Sequence, residues 1–155
     1  MFQAALCLTA SDIVEEANKH IGSTTWAQSS FYSFRFYPGT NKCNLFVYDV
    51  LEAVGADPPS RHWYMYSPIS AAEWGNTGSS VLRNERCWNL CTGGKQNGDV
   101  ISGQGHVGIV TGYHLTTSAG TNKVVQNNWG YRSSGFGSSY KITACWRYDY
   151  YSNGC

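Results

Sequence analysis

The sequence predicts an α+β domain in which N-terminal helices pack on an antiparallel β-sheet. Helical patterns occupy the first third of the chain and strand patterns occupy the last third. Helices followed by a run of strands, rather than helices alternating with strands, favour this fold class. With 155 residues, 42% of them hydrophobic, the chain is long enough to bury one core, so we expect a single domain over residues 1–155.

The first helix is predicted from Ser11 to Ile21. Ser11 is a suitable N-cap, and acidic residues follow it in the first turns, where the helix dipole favours them. Ile13, Ala17 and Ile21 fall on one stripe. Gly22 is expected to end the helix.

The second helix is predicted from Cys43 to Val54, with Gly55 as its end. Its apolar positions are too many for one narrow face, so the helix is expected to be buried on most sides. Short helices are expected at 71–74 and 87–91.

The last third predicts β-strands. They begin at Val100-Ile101 and continue at 106–110, at 123–128 and from Tyr140 to Tyr148, and residues 120–122 are expected to connect the second to the third.

Composition excludes several classes of protein. Only 14% of the residues are charged and the net charge is +1, which argues against a nucleic-acid-binding face. No apolar run approaches the roughly 20 residues of a membrane span. Residues 1–10 are apolar but lack the basic start of a signal peptide, so we expect a mature form. Six cysteines in so short a chain indicate an oxidising, extracellular setting, and we expect secretion.

Cys43 is the candidate nucleophile. It opens the buried helix after a turn-like run, where the helix dipole and unpaired N–H groups favour the thiolate, and Lys42 stands next to it. If Cys43 is free, five cysteines remain, which predicts two disulfides and one further thiol. Spacing leaves the pairing open, although Cys87 can meet Cys91 on a helix, and a Cys145–Cys155 pair would tie down the C-terminus. The alternative is that Cys43 is itself half of a disulfide.

His106 is the candidate base. It begins a predicted strand after Gly103-Gln104-Gly105, and glycines there let a substrate backbone approach. An imidazole facing the thiol would take its proton and return it to the leaving amine. The alternative is a structural histidine.

A base needs a partner that orients it, and the strand ending near Trp129 offers two amides on one face, Asn128 and Gln126. Asn128 is the preferred partner, although a solvent-facing polar strand explains both residues as well. The aromatic side chains Trp26, Tyr37, Trp63 and Tyr64 are expected to line the cleft. Neither a cofactor nor a metal ion is expected, because the Cys87-x₃-Cys91 pair lacks a second half-site.

Together these segments resemble the NlpC/P60 and CHAP group of papain-like cell-wall peptidases. The matching segments, in chain order, are residues 13–22, 43–55, 98–100, 105–110 and 126–130. Many NlpC/P60 members have Asp before the cysteine and Ser-Gly after it, whereas this chain has Lys42-Cys43-Asn44. That context is more similar to the second family of type VI secretion amidase effectors and to the homologues that animals such as ticks have domesticated from bacteria.

The resemblance implies a papain-like fold and a secreted, antibacterial cysteine amidase. Its partner would be bacterial peptidoglycan, cut at the crosslink between meso-diaminopimelate and D-alanine, and an immunity-type inhibitor is a further possible partner. The rival hypothesis is a non-catalytic, lectin-like wall-binding protein in which Cys43 lies in a disulfide.

Overall fold

The structure is a computed structural model that describes residues 7–33, 35–62, 67–131, 141–152 and 154–155. Within these ranges the chain is α+β, as predicted, with four helices and one six-stranded antiparallel sheet. The helices are α1 (Ala10–Asn18), α2 (Cys43–Val54), α3 (Ala71–Trp74) and α4 (Ser80–Asn84). The strands are β1 (Trp88–Leu90), β2 (Val100–Gly103), β3 (His106–Gly112), β4 (Leu115–Ala119), β5 (Val124–Asn127) and β6 (Ala144–Tyr148), in the spatial order β1-β6-β2-β3-β4-β5.

Helix α1 starts earlier and ends earlier than predicted. Thr9, not Ser11, is the N-cap, because its backbone N–H and hydroxyl both bond the Asp12 carboxylate while the hydroxyl accepts from the Asp12 N–H. The helix ends at Asn18, and a turn with φ +89° at Gly22 leads the chain to β5.

Helix α2 has the predicted bounds, and Gly55 ends it in the left-handed conformation with φ +78°. Leu45, Phe46 and Leu51 are fully buried in the main core, together with residues of β2, β3 and β6. The helix is therefore held tightly enough to fix the position of its first residue, Cys43.

The sheet contains a strand that the sequence pattern did not predict. Strand β4 lies between β3 and β5, so a turn at Tyr113-His114 and a second turn at 120–122 replace the single expected connection. The strand escaped the hydrophobic pattern because Thr116, Thr117 and Ser118 are buried as hydrogen-bonded hydroxyls.

The segment before β2 also differs from expectation. No helix forms at 87–91, where residues 88–90 are the edge strand β1, and a helix that was not predicted, α4, lies at 80–84. The last strand runs from Ala144 to Tyr148; its predicted start, Tyr140, lies outside the described residues, and residues 141–143 are not part of the strand.

Two disulfides join Cys87 to Cys155 and Cys91 to Cys145, and Cys7 and Cys43 are free. The number of bridges agrees with the expectation for a free Cys43, but the pairs Cys87–Cys91 and Cys145–Cys155 are wrong. The sheet decides the pairing, because β1 and β6 are neighbours and bring Cys91 beside Cys145. In the described part of the chain, no helix has the length and apolar character needed to cross a membrane. The two disulfides fit an extracellular protein.

Candidate active site

Cys43 is the first residue of α2, with 5% of its surface exposed, and it carries a free thiol. No side chain caps this helix end, since Lys42 at the N-cap position makes no capping hydrogen bond. The first N–H groups of the helix therefore lack intrahelical partners and surround the sulfur with donors.

Lys42 is buried and holds the loop that precedes α2. Its ammonium donates to the carbonyl oxygens of Ala27 (3.0 Å), Gln28 (3.2 Å), Tyr37 (3.3 Å) and Thr40 (3.1 Å). The charge therefore anchors the 27–40 loop to the start of α2, a role that the sequence argument did not assign to it.

His106 is the first residue of β3, and its imidazole is fixed on two sides. The Nε2 atom lies 2.9 Å from the Ser118 hydroxyl oxygen on β4. The Trp129 ring stands edge-on to the imidazole at 4.5 Å between centroids. Ser118 is 2% exposed, so its hydrogen bond with the ring is shielded from water.

A glycine in β3 makes room for this arrangement. A Cβ at Gly108 would lie 2.6 Å from Thr116 Cγ2 and 2.9 Å from Ser118 Cβ. Only a residue without a side chain therefore lets Ser118 lie close enough to reach His106.

Cys43 and His106 line the same cavity, which has a volume of about 270 Å³. Because side chains alternate along β3, Val107 points towards α2 and His106 points towards the side of the sheet on which Trp129 lies. His106 is the first residue of the strand, and it also borders this cavity. Among the described residues, no hydrogen bond joins the Cys43 thiol to either ring nitrogen; the sulfur is instead close to the N–H of Val107.

Burial displaces both pKa values away from the charged forms. It raises the pKa of the Cys43 thiol, and hydrogen bonding from the N–H groups of Val107, Asn44 and Cys43 itself offsets this only in part. Burial lowers the pKa of His106 from 6.5 to about 4. At neutral pH the pair is therefore a thiol and a neutral imidazole, and the thiolate expected from the helix dipole alone is not the resting form.

Neither amide that was predicted to orient His106 is bonded to its Nε2. Gln126 donates to Thr111 Oγ1 (3.1 Å) and Asn18 Oδ1 (3.4 Å), in a polar cluster between α1 and the sheet. Asn128 is exposed and lies just beyond β5. Ser118 is bonded to Nε2 instead, and it lies on a strand that the sequence pattern did not predict.

The predicted cleft aromatics lie elsewhere or outside the described residues. Trp26 is 7% exposed, packs against Phe46 and donates its indole N–H to Asp49 at 2.8 Å, so it belongs to the core. Tyr37 is exposed on the loop held by Lys42, but it does not line the cavity of Cys43. Trp63 and Tyr64 lie outside the described residues.

A second cavity and a cluster of Cys and Asp side chains do not provide the same chemistry. A cavity of about 710 Å³ is lined by residues such as Glu52, Asp57 and Glu85, but it contains neither Cys43 nor His106. The Cys91, Asp99 and Cys145 side chains lie together, but the sulfurs are joined in a disulfide and Asp99 pairs with an arginine. This cluster therefore offers no thiolate to a metal ion.

Comparison of the chain with protein-family models, with curated proteins and with solved structures found no match.

Proposed function

We propose that this chain is a secreted, papain-like cysteine amidase that hydrolyses the peptides of bacterial peptidoglycan. One observation carries the proposal: the free, buried thiol of Cys43, at a helix N-terminus, borders the same cavity as the imidazole of His106, whose Nε2 is engaged by buried Ser118. Nucleophile, base and orienting group are the three parts that acyl transfer by a cysteine requires.

The reaction starts with Cys43 as a thiol and His106 as a neutral imidazole. As the Cys43 sulfur attacks the carbonyl carbon, its proton passes to Nδ1 of His106, the ring nitrogen that Ser118 leaves open. The oxygen of the tetrahedral intermediate accepts from the backbone N–H of Cys43, which has no intrahelical partner. The imidazolium then gives the proton to the amine, the C–N bond breaks and a thioester remains, which water hydrolyses with His106 as the base.

Ser118 and Trp129 act on the imidazole rather than on the substrate. The mechanism uses the tautomer in which Nε2 carries the hydrogen and donates to the Ser118 oxygen, so that Nδ1 carries the lone pair that accepts the thiol proton. Trp129 covers the ring edge and excludes water, which strengthens the hydrogen bond between His106 and Ser118.

The substrate class comes from the resemblance to NlpC/P60 peptidases and to the second family of amidase effectors. It suggests the bond between meso-diaminopimelate and D-alanine, and an immunity-type inhibitor as a partner. The two disulfides are consistent with action outside the cell.

The test is digestion of purified sacculi, followed by separation and mass spectrometry of the fragments. Wild-type protein is expected to release fragments cut at a peptide bond, and Cys43→Ala is expected to release none. Cys7→Ala is the matched control, because Cys7 is the other free cysteine, is exposed and does not line the cavity. If Cys43→Ala cuts as well as the wild type, the proposal is wrong.

The rival wall-binding hypothesis places Cys43 in a third disulfide. A thiol count on the denatured, unreduced protein separates the two hypotheses. The amidase requires a free Cys43, which iodoacetamide labels after denaturation and which peptide mapping identifies. A count of zero would favour the binding protein.

A further inference from the structure

The turn between β3 and β4 consists of two residues with large rings, Tyr113 and His114. His114 has a backbone conformation that glycine adopts more easily. His114, the second turn residue, has φ +52°, a conformation that favours Gly or Asn and costs other residues about 1 kcal/mol. Tyr113, the first turn residue, is 88% exposed, and His114 is exposed as well. Burial in the core therefore does not explain the choice of these two rings.

The two rings belong to a column of three. Tyr113 and His114 stack at 4.0 Å between centroids with 15° between their planes, and His114 and Tyr131 stack at 5.1 Å and 22°. The ammonium of Lys95 lies 4.9 Å from the centroid of the Tyr131 ring. The column is therefore ordered by contacts among its own members and is available at the surface.

A groove of about 560 Å³ runs beside the column and combines aromatic rings with polar donors. Its lining includes the three rings, Lys95 and Asn97, and no carboxylate occurs among the described residues that line it. An aromatic face suits the C–H face of a pyranose ring, and the Lys95 ammonium and the Asn97 amide can donate to hydroxyl and acetamide oxygens. The groove thus fits a neutral sugar better than a cationic peptide.

We propose that this aromatic column is a glycan-binding surface that holds an amino-sugar polysaccharide, the backbone of the bacterial wall; the choice of wall glycan rests on the proposed function. Strand β3 runs from His106 to Gly112, about 20 Å at the rise of a strand, and the turn that carries Tyr113 and His114 follows at the end away from His106. The chain therefore binds the polysaccharide at one end of the sheet while a peptide occupies the Cys43 cavity at the other.

The test is the binding of chitohexaose, an N-acetylglucosamine oligomer with no peptide stem, to the Cys43→Ala protein by titration calorimetry. Tyr113→Ser is expected to weaken binding by roughly tenfold or more, because the outer ring of the column is lost. Tyr151→Ser is the matched control, because Tyr151 is 96% exposed and lies outside this groove, and it should leave the affinity unchanged.

His114→Gly separates loss of the ring from loss of the fold. Glycine suits φ +52°, so this variant should keep or raise the melting temperature while it weakens chitohexaose binding. If it binds as well as the parent, the column does not recognise the glycan.

Three further results would overturn the proposal. They are no binding of chitohexaose by the parent protein, equal binding by Tyr113→Ser, and binding only to dextran sulfate that disappears at about 0.5 M salt, which would indicate an anionic polymer instead. Failure to digest sacculi with chitohexaose binding intact would refute the amidase and leave the glycan surface standing. If sacculi are digested in a way that depends on Cys43 but chitohexaose does not bind, the glycan surface is refuted and the amidase stands.

Discussion

His106 begins strand β3 and His114 lies in the turn that follows it, and the two histidines have opposite surroundings. His106 lies under Trp129 with its Nε2 engaged by Ser118, and burial lowers its pKa to about 4. His114 lies in the open between two tyrosine rings. The comparison teaches that burial and a fixed hydrogen bond prepare a ring for proton transfer, whereas exposure and stacking prepare it for contact with a ligand.

Removing the buried histidine should have the largest effect on activity. We expect His106→Ala to lower kcat for a soluble crosslinked wall peptide by at least about 10³-fold, because no other described residue that lines the cavity can take the thiol proton. His114→Gly should leave that kcat unchanged, since the peptide does not reach the aromatic column. Equal losses in the two variants would show that the ends of β3 do not have separate roles.

The same histidine should make stability depend on pH. Its pKa is about 4 in the folded chain against 6.5 when exposed, so the unfolded chain binds more protons between these values. Its contribution to the free energy of unfolding is therefore complete above pH 6.5 and falls as the pH drops towards 4, by up to about 3 kcal/mol.

Urea unfolding of the wild type and of His106→Gln, compared between about pH 4 and pH 6.5, separates the contribution of His106 to the free energy of unfolding from that of the carboxylates. The difference in free energy of unfolding between the two proteins should change with pH. A constant difference for His106→Gln would mean that the imidazole is not desolvated in the folded state.

The loop beside Cys43 should depend on one buried lysine. Lys42→Met keeps the length of the side chain but removes the ammonium from which four carbonyl oxygens accept, so we expect a loss of about 2 kcal/mol in the free energy of unfolding. Lys123→Met is the control at an exposed lysine and should change stability by less than about 0.5 kcal/mol. If proteases cut within residues 27–40 faster in Lys42→Met but not in Lys123→Met, the loss of stability lies in this loop.

Removing the hydroxyl of Ser118 should lower kcat less than removing the imidazole of His106. Ser118→Ala is expected to lower kcat by roughly tenfold, because the imidazole then loses the hydrogen bond that fixes its tautomer. Asn128→Ala should change kcat by less than about threefold. If the order of the two variants were reversed, the amide and not the hydroxyl would orient His106 when substrate is bound.

Local signals in the sequence were sufficient for the elements that carry Cys43 and His106. Helix α2 ends where Gly55 supplies the left-handed cap, and its apolar residues are the ones that become buried. His106 starts a strand because two residues of positive φ, Gln104 and Gly105, turn the chain just before it. These features depend on neighbours along the chain, which a single sequence displays.

The partner of His106, the disulfide pairs and the resting charge state depended on residues far apart in the sequence. The middle of strand β4 consists of three hydroxyl side chains whose burial is stable only because Asn18, His106 and Trp129 accept or share their hydrogen bonds. A period of hydrophobic residues cannot reveal such a strand, so Ser118 was missed and Asn128 and Gln126 were preferred.

The sequence by itself determined the α+β class, the helix that presents Cys43 and the candidate pair of Cys43 with His106. Only the tertiary structure decided that Ser118 engages the ring, that Cys91 pairs with Cys145 and that the thiol and the imidazole rest uncharged. The physical reason is that caps, turns and apolar periods act over a few residues, whereas strand order and desolvation are set by the packing of the whole sheet.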